Sequence, residues 1–169
     1  MIKVWDLLVR ILHWSLVLGV ATAWLTRKGA RDAHELIGYA VLAILVLRLL
    51  WGFAGTRYAR FSEFVRSPRF TMAYAADLAR GNEARYIGHN PLGGWNIVLL
   101  LAAIALASLS GWLYTTDEFW GVEWVEDTHE ALSNFLLALI ALHLAGVAFT
   151  SYRQRENLVA AMLHGRKRT

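Results

Sequence analysis

Residues 129–149 read HEALSNFLLALIALHLAGVAF. From Ala131 to Phe149 the stretch is almost wholly apolar and close to the ~20 residues that carry a helix across ~30 Å of hydrocarbon. It also holds a histidine near each end. His129 and His143 lie fourteen residues apart, which is ~3.9 helical turns, so both imidazoles leave nearly the same face, separated by ~21 Å along the axis. An ionisable, metal-ligating group at membrane depth is costly, which makes each one a candidate functional residue.

The rest of the chain agrees with a membrane reading. Its 169 residues are 57% hydrophobic and 18% charged, with a mean hydropathy of +0.39, whereas a soluble domain carries about a quarter charged residues. Three further runs approach bilayer length: Leu7 to Leu25, Leu36 to Phe53 and Trp95 to Tyr114. The expected fold is all-α, an integral membrane four-helix bundle forming one domain over residues 1–169. Abundant aromatic and aliphatic residues exclude disorder. The absence of cysteine excludes disulfide scaffolds, thiolate-held iron–sulfur clusters, zinc ribbons and covalent c-type haem. The first span is not read as a cleavable signal peptide. It carries Arg10 and His13 inside, and Thr26-Arg-Lys28 follows where small residues would be needed.

The basic residues orient the spans. With Arg10 assigned to the N-terminal flank, thirteen Lys and Arg fall at the two termini and in the 55–94 loop, and three fall at Arg27, Lys28 and Arg31. By the positive-inside rule the termini and that loop are cytoplasmic. This distribution fits a membrane surface and not a nucleic-acid groove, despite a net charge of +4. The remaining hairpin is acidic, with Asp117, Glu118, Glu123, Glu126 and Asp127. It is read as a solvated loop or a docking site for a basic partner. Trp24, Trp51, Trp95, Trp112, Trp120 and Trp124 sit near span ends, where indoles favour the interface. Within the long loop, Phe70 to Arg80 predicts a short cytoplasmic surface helix closed by Gly81, and Gly88 to Gly94 is turn chemistry leading into the third span.

Four of the six histidines pair by depth. His13 and His143 lie a few residues from the cytoplasmic ends of the first and fourth spans, while His34 and His129 open the second and fourth on the outer side. Two facing pairs at two levels are what two bis-imidazole haems need, each iron taking one axial nitrogen from each of two helices. Gly38 and Gly146, one turn beyond His34 and His143, would leave bare backbone where a macrocycle could lie. A single histidine at a span end is ordinarily interfacial, so the pairing carries the reading. Zinc or copper transport competes, since imidazole suits those ions, but two histidines per level without carboxylate or sulfur ligands make a poor cage. Arg10 precedes His13 by one turn and either pairs with a haem propionate or snorkels. Arg48, fourteen residues after His34, either serves the inner cofactor or anchors its helix. Arg27, Lys28 and Arg31 would hold outer propionates, attract an anion, or form an ordinary hairpin. His89 is read as a turn-capping residue before a quinone-pocket or propionate-binding one, and His164 as solvated.

Several separated motifs resemble, in order, bacterial cytochrome b561 and the cytochrome b subunits of nickel–iron hydrogenases and other periplasmic oxidoreductases. They are Val4-Trp-Asp-Leu-Leu-Val-Arg-Ile-Leu-His-Trp14, Arg48-Leu-Leu-Trp-Gly-Phe-Ala-Gly55 with Tyr58-Ala-Arg-Phe61, Gly88-His-Asn-Pro-Leu-Gly-Gly94, and His129 with His143. The resemblance implies two non-covalent b haems on His13 with His143 and His34 with His129. It also implies electron transfer between the quinone pool, ubiquinone or menaquinone, and a periplasmic cytochrome, dehydrogenase or hydrogenase subunit. The short loop before His34 and the Gly88-His-Asn-Pro91 segment resemble the subgroup with dedicated partners, which leaves the terminal acceptor open. Two alternatives stand beside this relay: a stand-alone quinone-linked oxidoreductase acting on a small species such as superoxide, and a haem-free membrane anchor.

Overall fold

The computed structural model describes residues 1–168. In chain order the elements are β1 (Ile2–Lys3), α1 (Leu7–Thr26), α2 (Arg31–Ala54), a 3-10 turn (Arg57–Ala59), α3 (Phe61–Phe64), α4 (Pro68–Arg80), α5 (Pro91–Tyr114), α6 (Glu123–Gln154), α7 (Leu158–His164) and β2 (Arg166–Lys167). The fold is all-α apart from one antiparallel pairing of β1 with β2, Ile2 opposite Lys167 and Lys3 opposite Arg166. Helices α1, α2, α5 and α6 are each long and apolar enough to cross a membrane.

The helices begin where local chemistry satisfies their first amides. Asp6 caps α1 by accepting from Val9 N at 2.9 Å. Asn90 caps α5 by accepting from Gly93 N at 2.7 Å, with Pro91 at the first helical position, where its missing N–H costs nothing. The stretch Pro91 to Gly94, read from sequence as turn, is therefore already helix. A short helix does form in the long loop. It starts two residues earlier than Phe70, because Ser67 caps it and Pro68 opens it.

The largest departure from the sequence reading is α6. Its 32 residues span ~48 Å at 1.5 Å per residue, well beyond the apolar run. Glu123, Glu126 and Asp127, read as part of an acidic hairpin, occupy its first two turns. Hydropathy reports only the part that lipid would cover, whereas hydrogen bonding continues the helix outward and acidic residues favour its N-terminus. His129 is consequently well inside α6 and not at its start.

In the bundle α1 packs on α2, α2 on α5 and α5 on α6, while α1 and α6 have no comparable mutual packing. The core lies at mid-depth, built from Leu16, Val41, Leu45, Leu101, Ala103, Ile104, Leu136 and Leu139. That apolar layer divides the bundle into a terminal end, which gathers both chain termini and residues 55–90, and a far end bounded by residues 27–30 and 115–122. At the terminal end Arg155, with a φ of 49°, reverses the chain after α6. Gly165, at φ 82°, then turns β2 back onto β1. A Cβ on Gly165 would sit 2.5 Å from Trp5 O, so both conformation and space demand glycine there.

Candidate functional site

At the far end α2 and α6 bring His34 and His129 together, with ring centroids 6.0 Å apart and planes at 86°. His34 Nδ1 lies 2.8 Å from Ala23 O on α1, and His129 Nδ1 lies 2.9 Å from Ala107 O on α5. A carbonyl only accepts, so each bond places the proton on Nδ1 and leaves Nε2 as a free lone pair, the tautomer a metal requires. Ser110 Oγ sits 3.1 Å from His129 Nδ1 and donates to Ala107 O at 3.0 Å. Gly111 makes room for the ring, since a Cβ there would come within 2.9 Å of His129 Cε1. With each Nδ1 committed to a carbonyl, the two Nε2 atoms are left as the pair that could hold one metal centre between the helices.

The far-end cations are less available than the sequence suggested. Arg27 lies over the Trp24 ring, 3.8 Å from its centroid. Arg31 pairs with Glu35 at 2.8 Å and lies 5.6 Å from the Trp120 ring centre. Both are satisfied by neighbours on their own face, which argues against an open anion site there.

At the terminal end His13 on α1 and His143 on α6 are both half-buried. Every buried side-chain polar atom lacking a partner among the described residues belongs to this end: Arg10 Nε, His13 Nδ1, Trp14 Nε1, Arg48 Nη1, His89 Nδ1, both amide atoms of Asn96 and Gln154 Oε1. Unsatisfied buried groups each cost of order 1–3 kcal/mol, so their concentration marks the place of a polar bound group. Four are N–H donors and only two are acceptors, the imidazole nitrogens serving as either, so the complementary ligand offers acceptors, as the two carboxylates of a haem do. Arg48 is buried, at 7% exposure. Its Nη2 is 3.5 Å from Ala59 O, and its guanidinium lies 5.5 Å from the Phe61 ring centre. Arg10 donates through Nη1 to Leu163 O, so α7 anchors it while its Nε stays unpaired.

His89 does not cap the turn before α5, because Asn90 does. Its ring packs between Trp5 and Phe64, at centroid distances of 4.6 and 4.9 Å. Burial, then the charges of Lys167, Arg48, His143 and His13, push its pKa down to about 3. His89 is therefore neutral near pH 7, and these four groups surround it. His164 is exposed and accepts from Arg166 N at 3.1 Å.

Gly38 and Gly146 fit the expectation of bare backbone in one respect: a Cβ on either would meet no protein atom within 4 Å. The sequence reading missed Ser110, Gly111, Asn96, Trp5, Phe64 and Lys167. Ser110 and Gly111 lie on α5, which carries no ligating histidine and so drew no scrutiny. Trp5 and Lys167 reach His89 only through the folded-back terminal segments, and Phe64 only through α3.

The donor sets fit haem b. Each end offers two imidazoles, and among the described residues no three His, Asp or Glu side chains converge to hold a bare metal ion. Residues 4–165 match the family model of prokaryotic cytochrome b561. No curated protein and no solved structure matches the chain. With four apolar spanning helices and a family match over nearly its whole length, the chain belongs to the prokaryotic cytochrome b561 family, multi-pass membrane b-type cytochromes of electron transfer that bind haem b.

Proposed function

We propose that the chain is a di-haem cytochrome b that carries single electrons across a bacterial inner membrane, between a quinone and a redox partner on the periplasmic side. The observation that carries this reading is the His34–His129 pair. Its rings lie 6.0 Å apart, and each Nδ1 is committed to a backbone carbonyl. Haem b, when bound, supplies a one-electron iron couple whose potential follows its axial ligands, burial and nearby charge.

The chain's own residues provide position and electrostatics. Ala23 O and Ala107 O fix the far-end imidazoles, raising their basicity as ligands. His13 and His143 would hold the second group, with Arg48 and Arg10 directed at its acidic substituents. The mid-depth layer of Leu16, Leu45, Leu101, Ile104, Leu136 and Leu139 excludes water between the levels, a barrier to ions but not to electrons. The basic asymmetry of the sequence supports a cytoplasmic terminal end.

The test is an oxidised-minus-reduced visible spectrum of the purified chain, with haem quantified per polypeptide. The wild type should carry two low-spin haems, and His129→Ala and His143→Ala one each. A colourless protein from haem-replete cells, or a His143→Ala chain retaining both, would overturn the reading.

A further inference from the structure

The sequence 163–168, Leu-His-Gly-Arg-Lys-Arg, looks like a solvated basic tail, yet it folds back over the terminal end. Gly165 O accepts from Val4 N at 2.9 Å and Trp5 N at 3.1 Å. Arg10 holds Leu163 O from the α1 side. Arg85 bridges Glu156, at 3.3 Å, and Arg168 O, at 3.0 Å. The strap therefore has three independent attachments, to the N-terminal strand, to the first helix and to the long loop.

Its two strand residues have opposite fates. Arg166 is exposed, whereas Lys167 is 4% exposed. A lysine is almost never buried this far without a strong partner. Among the described residues Nζ has only Gly88 O, at the 3.5 Å limit of a hydrogen bond, in the loop that carries His89. Burial works against its ammonium, Glu156 favours it and Arg85 opposes it. His89, in that loop, feels the charges of Lys167, Arg48, His143 and His13 together. Snorkelling would have been open to so long a side chain, but β2 pairing, with Lys167 opposite Ile2, points it inward.

We propose that Lys167 is a positioning residue of the inner cofactor site, a buried cation delivered by the C-terminal strap that favours the reduced form of the haem held by His13 and His143. The inference rests on the di-haem reading above. A positive charge near the iron stabilises the ferrous state, which carries one charge fewer. Taken at roughly 12 Å and an effective dielectric near 20, one unit charge changes the ferrous-to-ferric ratio about tenfold at fixed ambient potential, or about 59 mV for a one-electron couple.

The experiment is a potentiometric titration of haem absorbance in the purified full-length chain, with haem counted per polypeptide. It is repeated on Lys167→Met, Lys167→Arg and Arg166→Gln, and on Lys167→Met in a His129→Ala background that keeps only the inner haem. Lys167→Met should lower one midpoint by about 59 mV, the same one that persists without His129. Lys167→Arg should restore most of it. Arg166→Gln, which removes an equal charge from the exposed face of the same strand, should shift it by less than about a third as much, because solvent screens it. Two haems with both midpoints unmoved in Lys167→Met, or equal shifts in Lys167→Met and Arg166→Gln, would overturn the role of Lys167 alone. A wild-type chain without two haems would overturn the di-haem reading and this inference together.

Discussion

Replacing Gly111 by Ala tests whether α5 shapes the far-end site without contributing a ligand. The added methyl would lie 2.9 Å from His129 Cε1, 3.2 Å from Nδ1 and 3.7 Å from Nε2. Comfortable contacts between carbon atoms begin at about 3.5 Å, so the ring must retreat by roughly 0.6 Å. That retreat strains the bond from Nδ1 to Ala107 O, at 2.9 Å, and the contact to Ser110 Oγ, at 3.1 Å. Loosening such outer-shell support typically lowers metal affinity about 10–100-fold, equivalent to about 1.4–2.7 kcal/mol. Alanine also favours the helix over glycine by up to about 1 kcal/mol, which offsets crowding in the fold as a whole. The expected result is a normally folded protein that releases one of two haems faster than wild type. The assay follows haem per chain by visible absorbance during dilution into a haem scavenger. A Gly111→Ala chain that keeps both haems with wild-type kinetics and spectrum would refute the reasoning.

Gly38→Ala and Gly146→Ala should each lower haem retention while leaving the melting of the haem-free chain unchanged or slightly raised, because neither methyl meets a protein atom within 4 Å. Equal haem retention in both variants would show that no macrocycle lies against those turns. For Asp6, burial raises the pKa, but hydrogen bonds from Thr56, Val9, Trp51 and Leu8 outweigh it and hold the carboxyl below its ordinary value of 3.8. A carboxylate whose pKa is depressed on folding adds stability above its unfolded value and loses it as pH falls through the folded one. Asp6→Ala should therefore cost about 0.5–2 kcal/mol near pH 7 as a lost helix cap, with the gap to wild type narrowing below about pH 4 in thermal melts. A gap independent of pH would assign the effect to packing.

The four spans and the two histidine levels were legible because each rests on a local rule. Twenty apolar residues fix a helix to bilayer length, and 3.6 residues per turn puts His129 and His143 on one face. The meeting of His34 and His129 at one level agrees with their matched depths. Helix ends were less legible. The acidic start of α6 and the Pro91 start of α5 depend on capping and on hydrogen bonds that hydropathy does not see.

The charged residues at the terminal end divide on the same principle. Arg48, inside an apolar run, announced itself by the cost of burying it. Lys167 sits among exposed cations in a tail that composition alone reads as solvated, and only its pairing opposite Ile2 buries it. His89 likewise looked like part of a Gly/Pro turn until Trp5 and Phe64 closed on it from distant parts of the chain. The sequence by itself determined the spans, their number and the depth of the four imidazoles, because period and length act within one helix. Tertiary structure alone decided which nitrogen of each far-end imidazole carries the proton, where the unpaired polar atoms gather, and that the basic tail folds back over the terminal end. Those outcomes depend on carbonyls, rings and strands from segments far apart in sequence.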